Sequence, residues 1–255
     1  MRDTIPSHKD FVDIIGGTAA TGRNLWEKRW NQYYFRSCKR IVASLMADVE
    51  TAGSTIMDVG TSHGNWLKAL RSLGFEKVVG VELDEGRAEL ARQTGYDEVW
   101  NCDAANVPLP DHTIAAAVSN DVFVHILRRE DKVAVLREMA RLLVPKGVMV
   151  FNQTMSRAFG MTGYHVEKHC SFLTLDDLLG LCKEVPSLRI ADLMPSYYSF
   201  PAPTPSRTVT VLRGAALMAP LGIGIRMRRD NARTRQLGLE RADSVYVKLV
   251  KDSNQ

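Results

Sequence analysis

Short apolar runs fall at 55–59, 77–82, 98–101, 114–119 and 147–152, and the stretches between them carry helix-like apolar spacing. A run such as Ile114-Ala115-Ala116-Ala117-Val118 has no polar alternation, which predicts a strand covered on both faces. Helices are predicted at His63 to Leu73, Glu85 to Gln93 and Arg129 to Leu143. Strands alternating with helices give an α/β fold with a doubly wound, Rossmann-like sheet. Ahead of it, about Asn24 to Val49 reads as one helix, with Trp26, Trp30, Tyr33, Tyr34, Ile41 and Leu45 at helical spacing. That helix is expected as a lid over a cleft, as a helix packed on the core, or as both. Gly16 to Gly22 before it reads as a hinge.

Beyond Asn152 the pattern is mixed. Thr174-Leu175-Asp176-Asp177 is an N-cap with acids in the first turn, opening a helix to Lys183. Strands are expected at Leu188 to Leu193 and Ser244 to Val250, and between them Pro201, Pro203 and Pro205 mark a loop. The expected organisation is one domain over 1–255. A lid helix region takes 1–50, a binding core 51–152, a cap with an edge strand 153–243, and the last strand and tail 244–255.

Asp58-Val59-Gly60-Thr61-Ser62-His63-Gly64 joins the first strand to the next helix. Glycines there let the backbone turn sharply and approach a ligand that a Cβ would obstruct, so the helix is expected to start at the ligand. Glu82 stands at the end of the second strand, 22 residues beyond Gly60, where a carboxylate can accept both hydroxyls of a ribose. A dinucleotide fingerprint needs glycines at 60, 62 and 65, but the chain has Gly60, Ser62 and Asn65.

The spacing of Asp58, Gly60, Ser62 and Gly64 resembles the [D/E]-x-G-x-G-x-G loop of class I S-adenosylmethionine-dependent methyltransferases, with serine for the middle glycine. Val79-Gly80-Val81-Glu82, Asn101-Cys102-Asp103-Ala104, Pro108-Leu109-Pro110-Asp111, SNDVFVHI from Ser119 and LREMARLLVPKG from Leu136 continue the resemblance in order. It covers about Ile56 to Asn152. The resemblance implies a seven-stranded, mostly parallel sheet with an antiparallel edge strand and a helical or loop cap. It implies S-adenosylmethionine as cofactor and S-adenosylhomocysteine as product. It further implies that Asp58 serves the cofactor's amino group through the Gly60 loop or a water. Asp103 with the Ala104 amide would read the adenine edge, Leu83 would pack on its face, and Asn120 would meet the methionine portion. Ser62 is expected to narrow the loop near that end.

Composition narrows the class. Among 255 residues, 45% are hydrophobic and 24% charged, ordinary values for a globular protein. Cys38, Cys102, Cys170 and Cys182 are scattered without a C-x-x-C pair, which argues against zinc, iron–sulfur and disulfide frameworks and for a reducing, cytoplasmic setting. The first residues lack the apolar segment of a signal peptide, and no stretch is long enough for a membrane span. Net charge is +4, with five arginines between Arg226 and Arg235 after an apolar run. That patch reads as a solvated face or as a weak peripheral membrane contact. It lacks the interleaved aromatics of a nucleic-acid surface, so nucleic acid is not the expected partner.

Methyl transfer from a sulfonium needs alignment more than acid–base help. His125, after the fourth strand, is the candidate base for a hydroxyl acceptor, or a packed histidine. His165 and His169, four apart, would share a helix face, but no third ligand accompanies them and no metal is expected. Tyr197 and Tyr198 are candidates for the acceptor pocket. Asn120-Asp121-Val122-Phe123 lacks the double proline of amino-methylating enzymes, no cysteine sits in a Pro-Cys context, and no three-cysteine cluster exists. What remains is a small-molecule or lipid-like acceptor methylated on oxygen. The rivals are a noncatalytic S-adenosylmethionine- or S-adenosylhomocysteine-binding scaffold and a nicotinamide oxidoreductase. Acceptor identity and oligomeric state are left open by the sequence.

Overall fold

The computed structural model describes residues 25–159, 163–167, 169–196 and 238–253. Helix α1 (Leu25–Leu45) leads into β1 (Thr55–Val59), α2 (Leu67–Arg71), β2 (Lys77–Glu82), α3 (Glu85–Arg92), β3 (Glu98–Asn101) and β4 (Ile114–Ser119). Then come a 3-10 turn at Phe123–His125, α4 (Arg129–Leu142), β5 (Leu143–Thr154), the pair β6 (His165–Glu167) and β7 (Cys170–Phe172), α5 (Leu175–Lys183), β8 (Leu188–Ser196) and β9 (Ser244–Lys251).

Seven strands form one sheet in the order β3-β2-β1-β4-β5-β9-β8. Ile56 in β1 pairs in parallel with Val78 on one side and Ala116 on the other. The chain leaves β1 toward β2 and later returns on the opposite side as β4. At that reversal the carboxyl ends of the strands leave a crevice, the usual ligand position in an open α/β sheet. Strand β9 runs antiparallel to both β5 and β8, so the expected antiparallel pairing closes this edge.

Alternation across the buried strands divides the core in two. Met57, Val59, Val81 and Phe151 face α4 and α5, while Ile56, Val78, Val118 and Tyr246 face α1, α2 and α3. Burying each such side chain contributes roughly 1.5–3 kcal/mol, so the central strands hold the crevice rigidly. Helix α5 starts at the expected N-cap: Thr174 accepts from Asp177 N, and the Asp177 side chain accepts from Thr174 N, a capping box.

Three expectations change. The helix expected over His63 to Leu73 is confined to Leu67–Arg71, because Ser62 (φ 47°) and Gly64 (φ 77°) lie in the left-handed region and cannot open a helix, while Gly74 (φ 95°) closes it. The helix therefore does not begin at the loop. The strand expected at 147–152 begins at Leu143 and absorbs Pro145-Lys146-Gly147 as an irregularity between the pairs Ile114–Leu143 and Ala116–Val148. His165 and His169 do not share a helix face, since β6 and β7 pair antiparallel with His165 opposite Phe172. The glycines at 16–22, Tyr197, Tyr198, the prolines at 201–205 and the arginines at 226–235 lie outside the described residues. Among the described residues no helix is long and apolar enough to cross a membrane.

Candidate cofactor and acceptor cleft

A cavity of about 250 Å³ opens at the carboxyl ends of β1, β2, β3 and β4. Gly60, Ser62, Glu82, Leu83, Ala104, Asn120 and His125 all line it. Asp58, Gly64 and Asp103 stand beside the lining, outside it.

The loop after β1 is pinned to β2. Gly60 N and Thr61 N both donate to Val81 O, at 2.9 and 3.1 Å. Gly60 sits at φ 81°, and a Cβ there would stand 2.3 Å from Val122 Cγ2 across the crevice. Ser62 keeps the left-handed conformation that its missing glycine would have had, at roughly 1–2 kcal/mol for an L-residue. Its N–H donates to Glu82 Oε2 at 2.8 Å, and its hydroxyl meets His63 Nδ1 at 3.0 Å. The other oxygen of Glu82 accepts from Asp84 N at 3.1 Å. Asp84 in turn caps α3 by accepting from Arg87 N at 2.8 Å. Each Glu82 oxygen thus holds one backbone N–H and keeps a second lone pair for a ligand.

Asp58 lies beneath this loop, 2% exposed, with Tyr96 Oη donating to its carboxylate. Burial drives the Asp58 carboxyl up to about 7. The Tyr96 hydrogen bond and Lys39 oppose that shift, and Glu82 adds to it. Asp103 Oδ1 accepts from Ala105 N at 2.9 Å and shapes the turn after β3. Asn101 Nδ2 donates to both Glu82 O and Leu83 O at 2.9 Å, tying the end of β3 to that of β2.

The strand pattern, the loop and its acid match a known domain. Residues 57–151 fit the family described as "Methyltransferase domain". Over that stretch the chain is similar to a methyltransferase domain.

A probable tRNA methyltransferase 9B of Bos taurus is 33% identical to this chain over 138 residues, 54% of this chain but only 27% of that protein. Among solved structures, the [4+2]-cyclase SpnF superposes with a TM-score of 0.61 at 16% identity, covering 98% of each chain. An O-methyltransferase from a trans-AT PKS multienzyme of Brevibacillus brevis, in complex with S-adenosylhomocysteine, gives 0.58 at 17%, covering 92% of this chain and 82% of that one. Likeness at that identity speaks to fold, and a cyclase on this fold shows that site chemistry must be argued separately.

The residues fit the methyltransferase cofactor. A nucleoside-sized ligand needs a close backbone approach, which Gly60 gives, and a paired hydroxyl acceptor, which Glu82 retains. It also needs apolar walls, which Val81, Leu83 and Ala104 supply. Phe35 of α1 completes the lining, and Lys39 from the same helix donates to Asn65 O at 3.0 Å and lies 5.8 Å from the Trp66 ring centroid. The helix expected as a lid therefore does border the cleft.

On the β4 side the residues come from distant parts of the chain. Asp121 (φ 59°) accepts from Tyr34 Oη through Oδ2 and from Asn152 Nδ2 through Oδ1, the latter at 2.8 Å, while its own N–H donates to Asn152 Oδ1 at 2.7 Å. Asn120 Oδ1 accepts from Tyr246 Oη at 2.6 Å. His125 Nδ1 lies 3.1 Å from His169 O, and burial pushes its pKa down, with the His169 carbonyl opposing. It stays the neutral imidazole near neutrality. Sequence reasoning missed Asp121 and Tyr96. Asp121 had one usable signal, since aspartate after a strand readily takes a positive φ. Tyr96 had none, because only the fold brings it to Asp58.

Proposed function

We propose that this chain transfers the methyl group of S-adenosylmethionine to an oxygen of a small-molecule acceptor, acting in the cytoplasm. The observation that carries the reading is the single cavity in which Glu82 and the Gly60 loop face Asn120 and His125. When bound, the cofactor supplies an activated methyl group. Glu82 accepts its ribose hydroxyls with the lone pairs left by Ser62 N and Asp84 N, and Leu83 and Ala104 pack against the adenine. Asp103 stands at the adenine edge, and Asn120 faces the methionine portion. Asp58, held by Tyr96 beneath the Gly60 loop, serves the cofactor's amino group through that loop or a water. His125, neutral at pH 7 and at the cavity wall, takes the proton of an acceptor hydroxyl. Phe35 excludes water, and Tyr34 on Asp121 holds that helix against the β4 side. Cys38, Cys102, Cys170 and Cys182 are not joined in disulfides, which accords with a reducing compartment.

A nucleoside of tRNA is the second reading, favoured by the name of the bovine relative. The match to that relative takes in about a quarter of its length and so supports the shared core more than the acceptor. Incubating the protein with methyl-labelled S-adenosylmethionine and, separately, small-molecule extracts, lipid extracts and bulk tRNA tests both. Label in the small-molecule pool is expected. Label in tRNA alone would replace the first reading by the second, and S-adenosylhomocysteine binding with no label anywhere would leave a binding scaffold.

A further inference from the structure

The short turn that carries His125 gives its carbonyls to side chains from elsewhere in the chain. Phe123 O accepts from Lys132 Nζ, Val124 O and Ile126 O accept from Ser171 Oγ at 3.1 and 2.9 Å, and Leu127 O accepts from Tyr164 Oη. These donors come from α4, from β7 and from the segment ahead of β6. The backbone closes the turn with His125 N on Val122 O at 2.8 Å and Ile126 N on Phe123 O at 3.3 Å. Buried carbonyls need partners, so the remote side chains complete what so short a turn leaves open.

Three of the residues involved are linked to one another. Gln153 of β5 accepts from Lys132 Nζ through Oε1 at 3.1 Å, and its Nε2 donates to Ser171 O at 2.8 Å and to Thr154 O at 3.0 Å. Lys132, Gln153 and Ser171 are each fully buried. Among the described residues Lys132 has no carboxylate partner; its Nζ lies 5.8 Å from the Phe123 ring centroid, and burial pushes its pKa well down. Taking an amine and an amide out of water costs stability that apolar side chains at the same places would not cost. A buried polar network of this kind, once satisfied, specifies one arrangement of the chain. Here that arrangement is the course of the backbone from Phe123 to Ile126.

We propose that Lys132, Gln153 and Ser171 are positioning residues that set the direction of the His125 imidazole at the cavity wall. The proposal rests on the reading of His125 as the base for an acceptor hydroxyl and adds what holds that base. None of the three lines the cavity, whereas His125 does. They act through the carbonyls of Phe123, Val124 and Ile126, the residues on either side of the histidine. A general base works only within hydrogen-bond reach of the proton it takes, so a ring free to swing on its turn would lose that reach.

The test is the titration of His125 in the full chain, followed by NMR through the ring resonance that His125→Gln removes. Ser171→Ala and Gln153→Met leave every charge in place, including the groups that face the ring: Asp121 after β4, Lys132 on α4, and His169 and Cys170 at β7. Burial is the main cause that holds His125 low, and the His169 carbonyl opposes it. A ring released from the wall gains water, so its midpoint rises toward the ordinary histidine value. A rise of about 0.5 or more is expected in each variant, with the midpoint of His112, ahead of β4, unmoved. An unmoved His125 midpoint in the folded variants would overturn the proposal, and so would an equal shift at His112, which marks general loosening. If Gln153→Met does not fold, Ser171→Ala decides alone. S-adenosylhomocysteine titrated into the wild-type protein separates the two claims. Its binding with an unmoved midpoint sinks the positioning role alone, and a shifted midpoint without its binding sinks the methyl-transfer reading.

Discussion

The two sides of the cleft are built differently. On the β1–β3 side the loop, the acid and the cap occupy one stretch from Asp58 to Ala104, and most of their bonds run through backbone N–H groups: Gly60 and Thr61 to Val81, Ser62 and Asp84 to Glu82. On the β4 side the partners are remote and meet through side chains: Tyr34 with Asp121 across 87 residues, Cys170 with His125 across 45, Tyr246 with Asn120 across 126. A site made of local backbone geometry depends on conformation. A site made of long-range side-chain bonds depends on the whole fold being in place. Substitutions on the first side should therefore cost ligand affinity, and those on the second should cost stability.

The largest effect should come from Gly60→Val, which puts a β-branched residue at φ 81° with its Cβ 2.3 Å from Val122. S-adenosylhomocysteine affinity should fall by about 100-fold or more, equivalent to about 2.7 kcal/mol. A calorimetric loss below about 5-fold would show that the loop tolerates a side chain. Asp121→Ala removes the anchors of Tyr34 and Asn152 and should lower unfolding stability by about 2 kcal/mol in urea. An unchanged urea midpoint would mean the long-range network does not hold this side together. Tyr246→Phe deletes one bond to Asn120 and should cost about 1 kcal/mol of stability with S-adenosylhomocysteine affinity moved less than about 3-fold. A larger affinity loss would make Asn120 part of the local half.

The last expected effect is a pH dependence. The Asp58 carboxyl is raised from 3.8 to about 7 on folding, so the folded state holds a proton that the unfolded chain has released. The stability this contributes is complete below about pH 4 and is lost as pH rises through 7. Asp58→Asn should flatten the fall in urea stability between pH 5 and pH 8, and an equally steep fall in the variant would assign it to other groups.

The same contrast governs what could be read in the sequence. Strands β1 to β4, the glycine loop and Glu82 were legible because apolar runs and glycine spacing are local signals. The bounds of α2 were not, since nothing in the residues announces that Ser62 follows Gly60 into left-handed geometry. The β6–β7 pair was missed because three-residue strands are too short for a periodicity to show. The approach of His169 and Cys170 to His125 was missed because spacing reveals neighbours on one element and not residues brought together by two.

The central claim, that this cleft binds S-adenosylmethionine with Glu82 on the ribose, is tested most directly by calorimetric titration of S-adenosylhomocysteine into the wild-type protein and Glu82→Ala. The account predicts one site of micromolar or tighter affinity, weakened about 10-fold to 100-fold in the variant, as loss of charged hydrogen bonds worth about 1.5–3 kcal/mol requires. No binding to the wild type, or equal affinity in a folded variant, would contradict it.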